Sequence, residues 1–252
     1  MTKVLALRLG GPLQSWGTAQ RLDDWRRTEQ VPTKSAVVGL VAAALGLRRD
    51  ADLSAQAALR FGVRADRAGE RIEDFHTVSS LFDDKERLSP GRGRLPKASG
   101  GYLSADVSTK ITRRHYLADA CFVAALEGDD ETVVSADRAL RQPVYPPYLG
   151  RRSCPPDRPV ALGVFDGTLE EVLRSLPWQA TRRPTDPAEV TCEVIVEDAA
   201  GELISMDQPQ SFHPIGRAYA WRTARSFTVT LQAAEADKRD PGEHDPFELL
   251  GE

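Results

Sequence analysis

The sequence has no run of about 18 apolar residues, the length a membrane-crossing helix requires. Its longest apolar stretch, residues 37–47, has the length of a buried helix, so no membrane partner is expected. The first residues pass straight into Val-Leu-Ala-Leu at 4–7, without the charged region and cleavage site of a secretory signal. Cysteine is scarce. Cys121, Cys154 and Cys192 lie far apart and form no Cys-x-x-Cys pair, which excludes a disulfide framework and points to a reducing cytoplasm. The four histidines, His76, His115, His213 and His244, lack the spacing of metal ligands, so no metal centre is expected. Nucleotide-binding signatures are missing too. Lys34-Ser35 stands at a helix start, but Pro32 and Thr33 precede it where a phosphate-binding loop needs glycine. Gly91-Arg-Gly93 lacks the third glycine of a dinucleotide fingerprint. No cofactor is expected.

What is present suits a globular protein of one or two domains: 252 residues, 41% hydrophobic and 28% charged. The net charge of −4 speaks against a nucleic-acid partner, but its distribution does not. Residues 85–116 hold eight basic and two acidic residues, whereas residues 235–252 hold seven acidic and two basic ones. Phosphate is attracted to local patches rather than to net charge.

Periodicity and turn residues predict a strand over 3–9, ended by Gly10-Gly11-Pro12, and a helix over 36–45. Thr33 or Ser35 can cap that helix and Gly46 can end it. A short helix over 50–60, strands over 61–65, 71–79, 110–116 and 120–126, a helix over 132–141 and a strand over 160–165 follow. With the Gly- and Arg-rich insert around 90–101 set aside, the order is β-α-β-β-α-β, the ferredoxin-like unit. Strands at 191–197 and 227–231 predict a smaller second β element. The expected organisation is α+β: a ferredoxin-like (RRM-like) core from 1–68 and 117–175, a hairpin thumb over 69–116 and a small C-terminal β region over 176–234. Residues 235–252 read as a disordered acidic tail.

Several segments carry both a functional and a structural reading. Exposed amides at the start of the first helix, with Lys34, form a weak anion site; the alternative is a plain capped helix with a solvated lysine. In residues 145–156, Tyr-Pro-Pro-Tyr-Leu-Gly-Arg-Arg-Ser-Cys-Pro-Pro, prolines stiffen a backbone bearing Tyr145, Tyr148, Arg151 and Arg152. Aromatic rings and paired arginines suit single-stranded RNA. The alternative is a surface loop whose arginines pair with acids. The hairpin is likewise either an arm over nucleic acid or a solvated loop.

Four blocks, in this order, resemble the type I-E branch of the fifth family of CRISPR-associated (Cas) proteins. They are Leu7-Arg-Leu-Gly-Gly-Pro-Leu-Gln-Ser-Trp-Gly17, Pro32-Thr-Lys-Ser35 leading to Gly39-Leu40, Asp74-Phe-His-Thr-Val78, and Tyr148-Leu-Gly-Arg-Arg-Ser-Cys-Pro155. They span roughly the first 165 residues; the last third matches no block. The resemblance implies a repeat-associated RNA-binding fold that caps one end of a Cascade surveillance complex and holds the 5′ handle of its crRNA. The implied partners are the Cascade backbone subunit and the large subunit, with target DNA met through the assembled complex by guide pairing. It also implies RNA contacts from Gln14, Ser15 and Trp16, from Thr33, Lys34 and Ser35, and from Tyr145, Tyr148, Arg151, Arg152 and Ser153. The thumb would add His76, Arg113, Arg114 and His115. Trp16 has a second reading, as a core plug beneath the first helix.

A related branch cleaves precursor crRNA without metal, which needs a base for the 2′-OH and an acid for the leaving oxygen. Arg114, His115 and Tyr116 are the nearest trio here. Arginine stays protonated and cannot be the acid, although histidine can. The expectation is a binder with no catalytic residues, a metal-independent endoribonuclease being the alternative. A generic ferredoxin-like RNA binder outside CRISPR would not carry the fourth block.

Overall fold

The structure, a computed structural model, describes residues 2–17, 25–79, 109–213 and 215–233. In chain order the first elements are β1 (Lys3–Gly10), β2 (Leu13–Gln14), β3 (Trp25–Arg26), α1 (Lys34–Ala44), α2 (Ser54–Ala58), β4 (Arg60–Arg67) and β5 (Glu70–Ser79). Then come β6 (Thr109–Ala118), β7 (Cys121–Gly128), α3 (Asp130–Arg141), β8 (Ala161–Asp166), α4 (Leu169–Ser175), β9 (Glu189–Glu197), β10 (Leu203–Ser211) and β11 (Ala218–Gln232). The result is a sheet-rich α+β fold. No helix among the described residues is long and apolar enough to cross a membrane.

Seven strands form the main sheet in the order β10-β11-β9-β4-β7-β1-β8, all antiparallel. β1 lies between β7 and the edge strand β8 and is buried over nearly its whole length, because both faces of the sheet are covered there. Side chains alternate across it. Leu5, Leu7 and Leu9 join Phe61, Phe122, Leu126 and the buried faces of α1 and α3. Val4 and Ala6 join Val123, Ala125, Val194, Val196 and α4 on the opposite face.

The second sheet is the hairpin of β5 and β6, paired from Glu70–Ala118 to Ser79–Thr109, with short β2 and β3 along the other edge of β6. Gly69 turns the chain into it at φ +74°, and a Cβ there would press on the backbone and side chain of Ala120.

Sequence and structure part in several places, beginning with the short strands β2 and β3, where a loop is expected. The helix expected over 50–60 contracts to Ser54–Ala58, and none of its residues is buried. α4 is an addition, although Thr168 and Glu171 close a reciprocal capping box at its start. β10 is also an addition. It carries Pro209, which a sheet tolerates at an edge, and β10 is the edge strand. The C-terminal strands β9, β10 and β11 lengthen the core sheet from β4 rather than building a separate one. The Gly- and Arg-rich insert at 90–101 and the acidic tail at 235–252 lie outside the described residues.

Candidate nucleic-acid interface

The helix α1 begins where Thr33 Oγ1 accepts from the Ala36 amide. Lys34 follows, and the structure corrects its expected role. It is 1% exposed, and its Nζ donates to Glu197 Oε2 at 2.9 Å. Its own amide donates to Asp207 Oδ2 at 2.7 Å. Asp207 in turn takes both Nε and Nη2 of Arg222, at 2.6 and 3.0 Å. The anion position at the helix start is thus filled by a carboxylate of β10, and Lys34 is an internal cation. Burial pulls its pKa below the ordinary lysine value despite Glu197. Sequence reasoning missed Glu197 and Asp207, because their proximity to residue 34 is set by strands more than 160 residues away.

The first block is also turned inward. Gln14 is fully buried; its Nε2 donates to the carbonyls of Leu9 and Ala120, and its Oε1 accepts from Trp16 Nε1 at 3.1 Å. Trp16 is fully buried in the main core, so its plug reading is the one realised. Ser15 is 3% exposed and bridges two segments: its Oγ donates to the His115 carbonyl, and its amide donates to the Leu149 carbonyl. The RNA contacts expected of the Gln14, Trp16 and Lys34 side chains give way to fold-building ones. These side chains are closed off from solvent.

That bridge seats the fourth block. Gly150, at φ +84°, lies so close to the Ser15 carbonyl oxygen that any Cβ would collide with it. The Leu149 amide donates to the Cys154 carbonyl and the Cys154 amide to the Arg151 carbonyl, closing a tight turn. Cys154 is buried, and burial raises its thiol above the ordinary value, leaving it protonated rather than nucleophilic. Arg151 acts as a brace. Its guanidinium lies 4.6 Å from the Tyr116 ring centroid, and Nη2 donates to the Arg26 carbonyl at 3.0 Å. Arg152 and Ser153 are exposed.

The turn forms one wall of a cleft of about 1100 Å³. Its floor is the outer face of α1, with Ser35, Ala36, Gly39, Leu40 and Ala43. Tyr145, Pro146, Pro147, Tyr148 and Arg152 line one side; Phe212, His213 and Arg217 from the β10–β11 connection, with Tyr219 of β11, line the other. Arg48, Arg49 and Asp50 also line it. Four arginines against one aspartate give the lining a positive sign. Gly39 faces the Phe212 ring, which a Cβ there would meet at 3.6 Å, an ordinary contact. Of the predicted residues, Ser35, Tyr145, Tyr148 and Arg152 meet here. The C-terminal wall lay in the third of the chain that matched no motif.

On the hairpin, Arg113 and His115 share one face with Glu73. Arg113 Nη1 is 2.9 Å from Glu73 Oε1, and His115 Nε2 is 3.1 Å from Glu73 Oε2. The hydrogen bond with His115 and the charge of Arg113 hold the Glu73 carboxyl below its ordinary range. His76 pairs with Asp74, and Asp74 is registered with Arg114 on the other face. His115 and Tyr116 are successive residues of a strand, so their side chains leave opposite sides. Tyr116 is 4% exposed beneath Arg151. The trio Arg114, His115 and Tyr116 therefore does not converge on one point.

The family described as CRISPR-associated protein (Cas_Cas5) matches residues 4–225. The chain is 34% identical over 177 residues to the CRISPR system Cascade subunit CasD of Escherichia coli (strain K12), covering 65% of this chain and 71% of that protein. Among solved structures it resembles a chain of a CRISPR RNA-guided surveillance complex, with a TM-score of 0.77 and 32% identity, covering 93% of this chain and 95% of the other. It also resembles a crystal structure of a Cas protein, with a TM-score of 0.68 and 33% identity, covering 92% and 98%.

Proposed function

The chain belongs to the Cas5 family of CRISPR-associated proteins, and from that premise we propose that it is the crRNA-binding subunit of a Cascade-type surveillance complex. The observation that carries the proposal is the cleft over α1, where four arginines and four aromatic rings line one concave surface. Arginine meets phosphate through a fixed fork of donors, and rings stack on bases of any identity. Such a lining suits an unpaired, sharply turning strand better than a duplex, so its ligand is the 5′ handle of the guide. Sequence discrimination toward invading DNA then rests in guide pairing.

The inner strands, in the order β4-β7-β1-β8 with α1 and α3 on one face, support a ferredoxin-like (RRM-like) core, and β5–β6 supports the thumb. The Cascade backbone subunit and the large subunit are the proposed neighbours, in the cytoplasm. The protein acts as a binder. Cleavage requires a base and an acid facing one 2′-OH, and His115 and Tyr116 lie on opposite sides of β6. Incubation of the purified chain with end-labelled repeat RNA in EDTA should leave the RNA full length while retarding it on a gel. A discrete product that disappears in His115→Ala would assign the endoribonuclease role instead.

A further inference from the structure

Three neighbouring strands place Trp25, Arg113 and Phe75 side by side: Trp25 on β3 is registered with Arg113 on β6, and Arg113 with Phe75 on β5. Residues directly opposite across a sheet share a face. The Arg113 guanidinium lies 5.0 Å from the Trp25 centroid and 5.8 Å from the Phe75 centroid. His115 meets Trp25 edge to face at 6.2 Å, and Glu73 holds both Arg113 and His115. The rings are nonetheless open to solvent, Trp25 at 45% and Phe75 at 54%. Clustered exposed rings, unlike single scattered ones, mark a surface that a partner can cover.

The charge pattern says which partner. Glu73 neutralises Arg113, so that cation orients the rings rather than seeking phosphate. A charge left over stands at the platform's margin: Arg27, two residues on from Trp25, is exposed, whereas Arg26 is registered with Arg114 on the other face. A neutral aromatic surface with a cation at its margin matches a base with its phosphate at the side. Two strand spacings separate the rings, about 10 Å, which is too far for one base to cover both. The cleft and this platform are linked through Arg151, which joins the 149–154 turn to the Arg26 carbonyl.

We infer that Trp25 and Phe75 form a base-stacking platform, each ring taking one unpaired nucleobase of the bound strand, at a site separate from the cleft. This inference rests on the proposed RNA-binding function and adds a second site to it. Stacking carries no counterion release, so the two sites differ in their salt dependence.

The test uses the full chain, handle-length RNA and a salt series. Trp25→Ala and Phe75→Ala should each weaken binding about tenfold. The slope of log affinity against log salt should stay unchanged, and Trp25→Phe should stay close to the parent. RNA carrying 2-aminopurine in place of successive bases should be quenched at one or two positions, and the quenching should vanish in the alanine variants. Unchanged affinity and quenching would overturn the platform, as would a weakening accompanied by a flatter slope. Intact RNA binding with failed assembly onto the other complex subunits would make the patch a protein-docking surface, also overturning it. Failure of the cleft reading looks different: Arg152 and Arg217 could then be removed without changing the slope, while Trp25→Ala still lowered affinity.

Discussion

Replacing Arg152 and Arg217 together with alanine should weaken guide-handle binding about a hundredfold at constant salt. A hydrogen bond to a charged group contributes about 1.5–3 kcal/mol, and the two arginines stand on opposite walls of the cleft. The slope of log affinity against log salt should fall by about 0.7 for each phosphate no longer neutralised, hence about 1.4 for the pair. Neither residue is engaged in the core, so the variant should unfold at the same denaturant concentration as its parent. Arg151→Ala provides the contrast. Arg151 is committed to the Tyr116 ring and the Arg26 carbonyl, so its removal should lower stability and displace the turn, leaving the salt slope nearly unaltered.

The second large effect concerns the fold that carries the cleft. Arg64 is fully buried, and its guanidinium donates to both oxygens of Asp66 and to the carbonyls of Leu173, Leu176 and Pro177, at 2.6–3.0 Å. It thereby ties β4 to the end of α4. Arg64→Ala should destabilise the protein by about 3–5 kcal/mol in urea denaturation, because it strands a buried carboxylate and three carbonyls. Burial raises the Asp66 pKa above the ordinary carboxylate value even with Arg64 present. A carboxyl whose folded pKa is raised holds its proton more tightly folded than unfolded, so lowering the pH through that window favours the folded state. Without Arg64 the window widens upward. The stability deficit of the variant should therefore shrink as the pH is lowered from neutral, as the stranded carboxylate takes up a proton. A deficit independent of pH would mean that the missing side-chain packing, not the stranded charge, sets the cost.

The elements written by local pattern were legible in the sequence. The apolar run of β1 and the Thr33 cap and Gly46 stop of α1 are dictated within a few residues of themselves. So was the stiff turn at 148–155, whose tyrosines and Arg152 did reach the cleft. What was not legible depends on distant pairing. Gln14, Trp16 and Lys34 are polar or amphipathic residues in loops or at a helix start, and by local rules each belongs at the surface. Each is buried because a remote partner receives it: the Ala120 carbonyl, the main core, and Glu197 with Asp207. The far wall of the cleft shows the same limit. Phe212, Arg217 and Tyr219 lie beside an edge strand carrying Pro209, where alternation is weak. They face Tyr145 only because β9, β10 and β11 extend the sheet past β4.

The central claim is that the cleft over α1 holds the unpaired 5′ end of the guide. Zero-length photocrosslinking with 4-thiouridine placed along the handle, in the assembled complex, tests it most directly. Adducts are expected on peptides containing Tyr145, Tyr148, Phe212 or Tyr219. Adducts confined to the opposite face of the sheet, around α4, with none from the cleft, would contradict it.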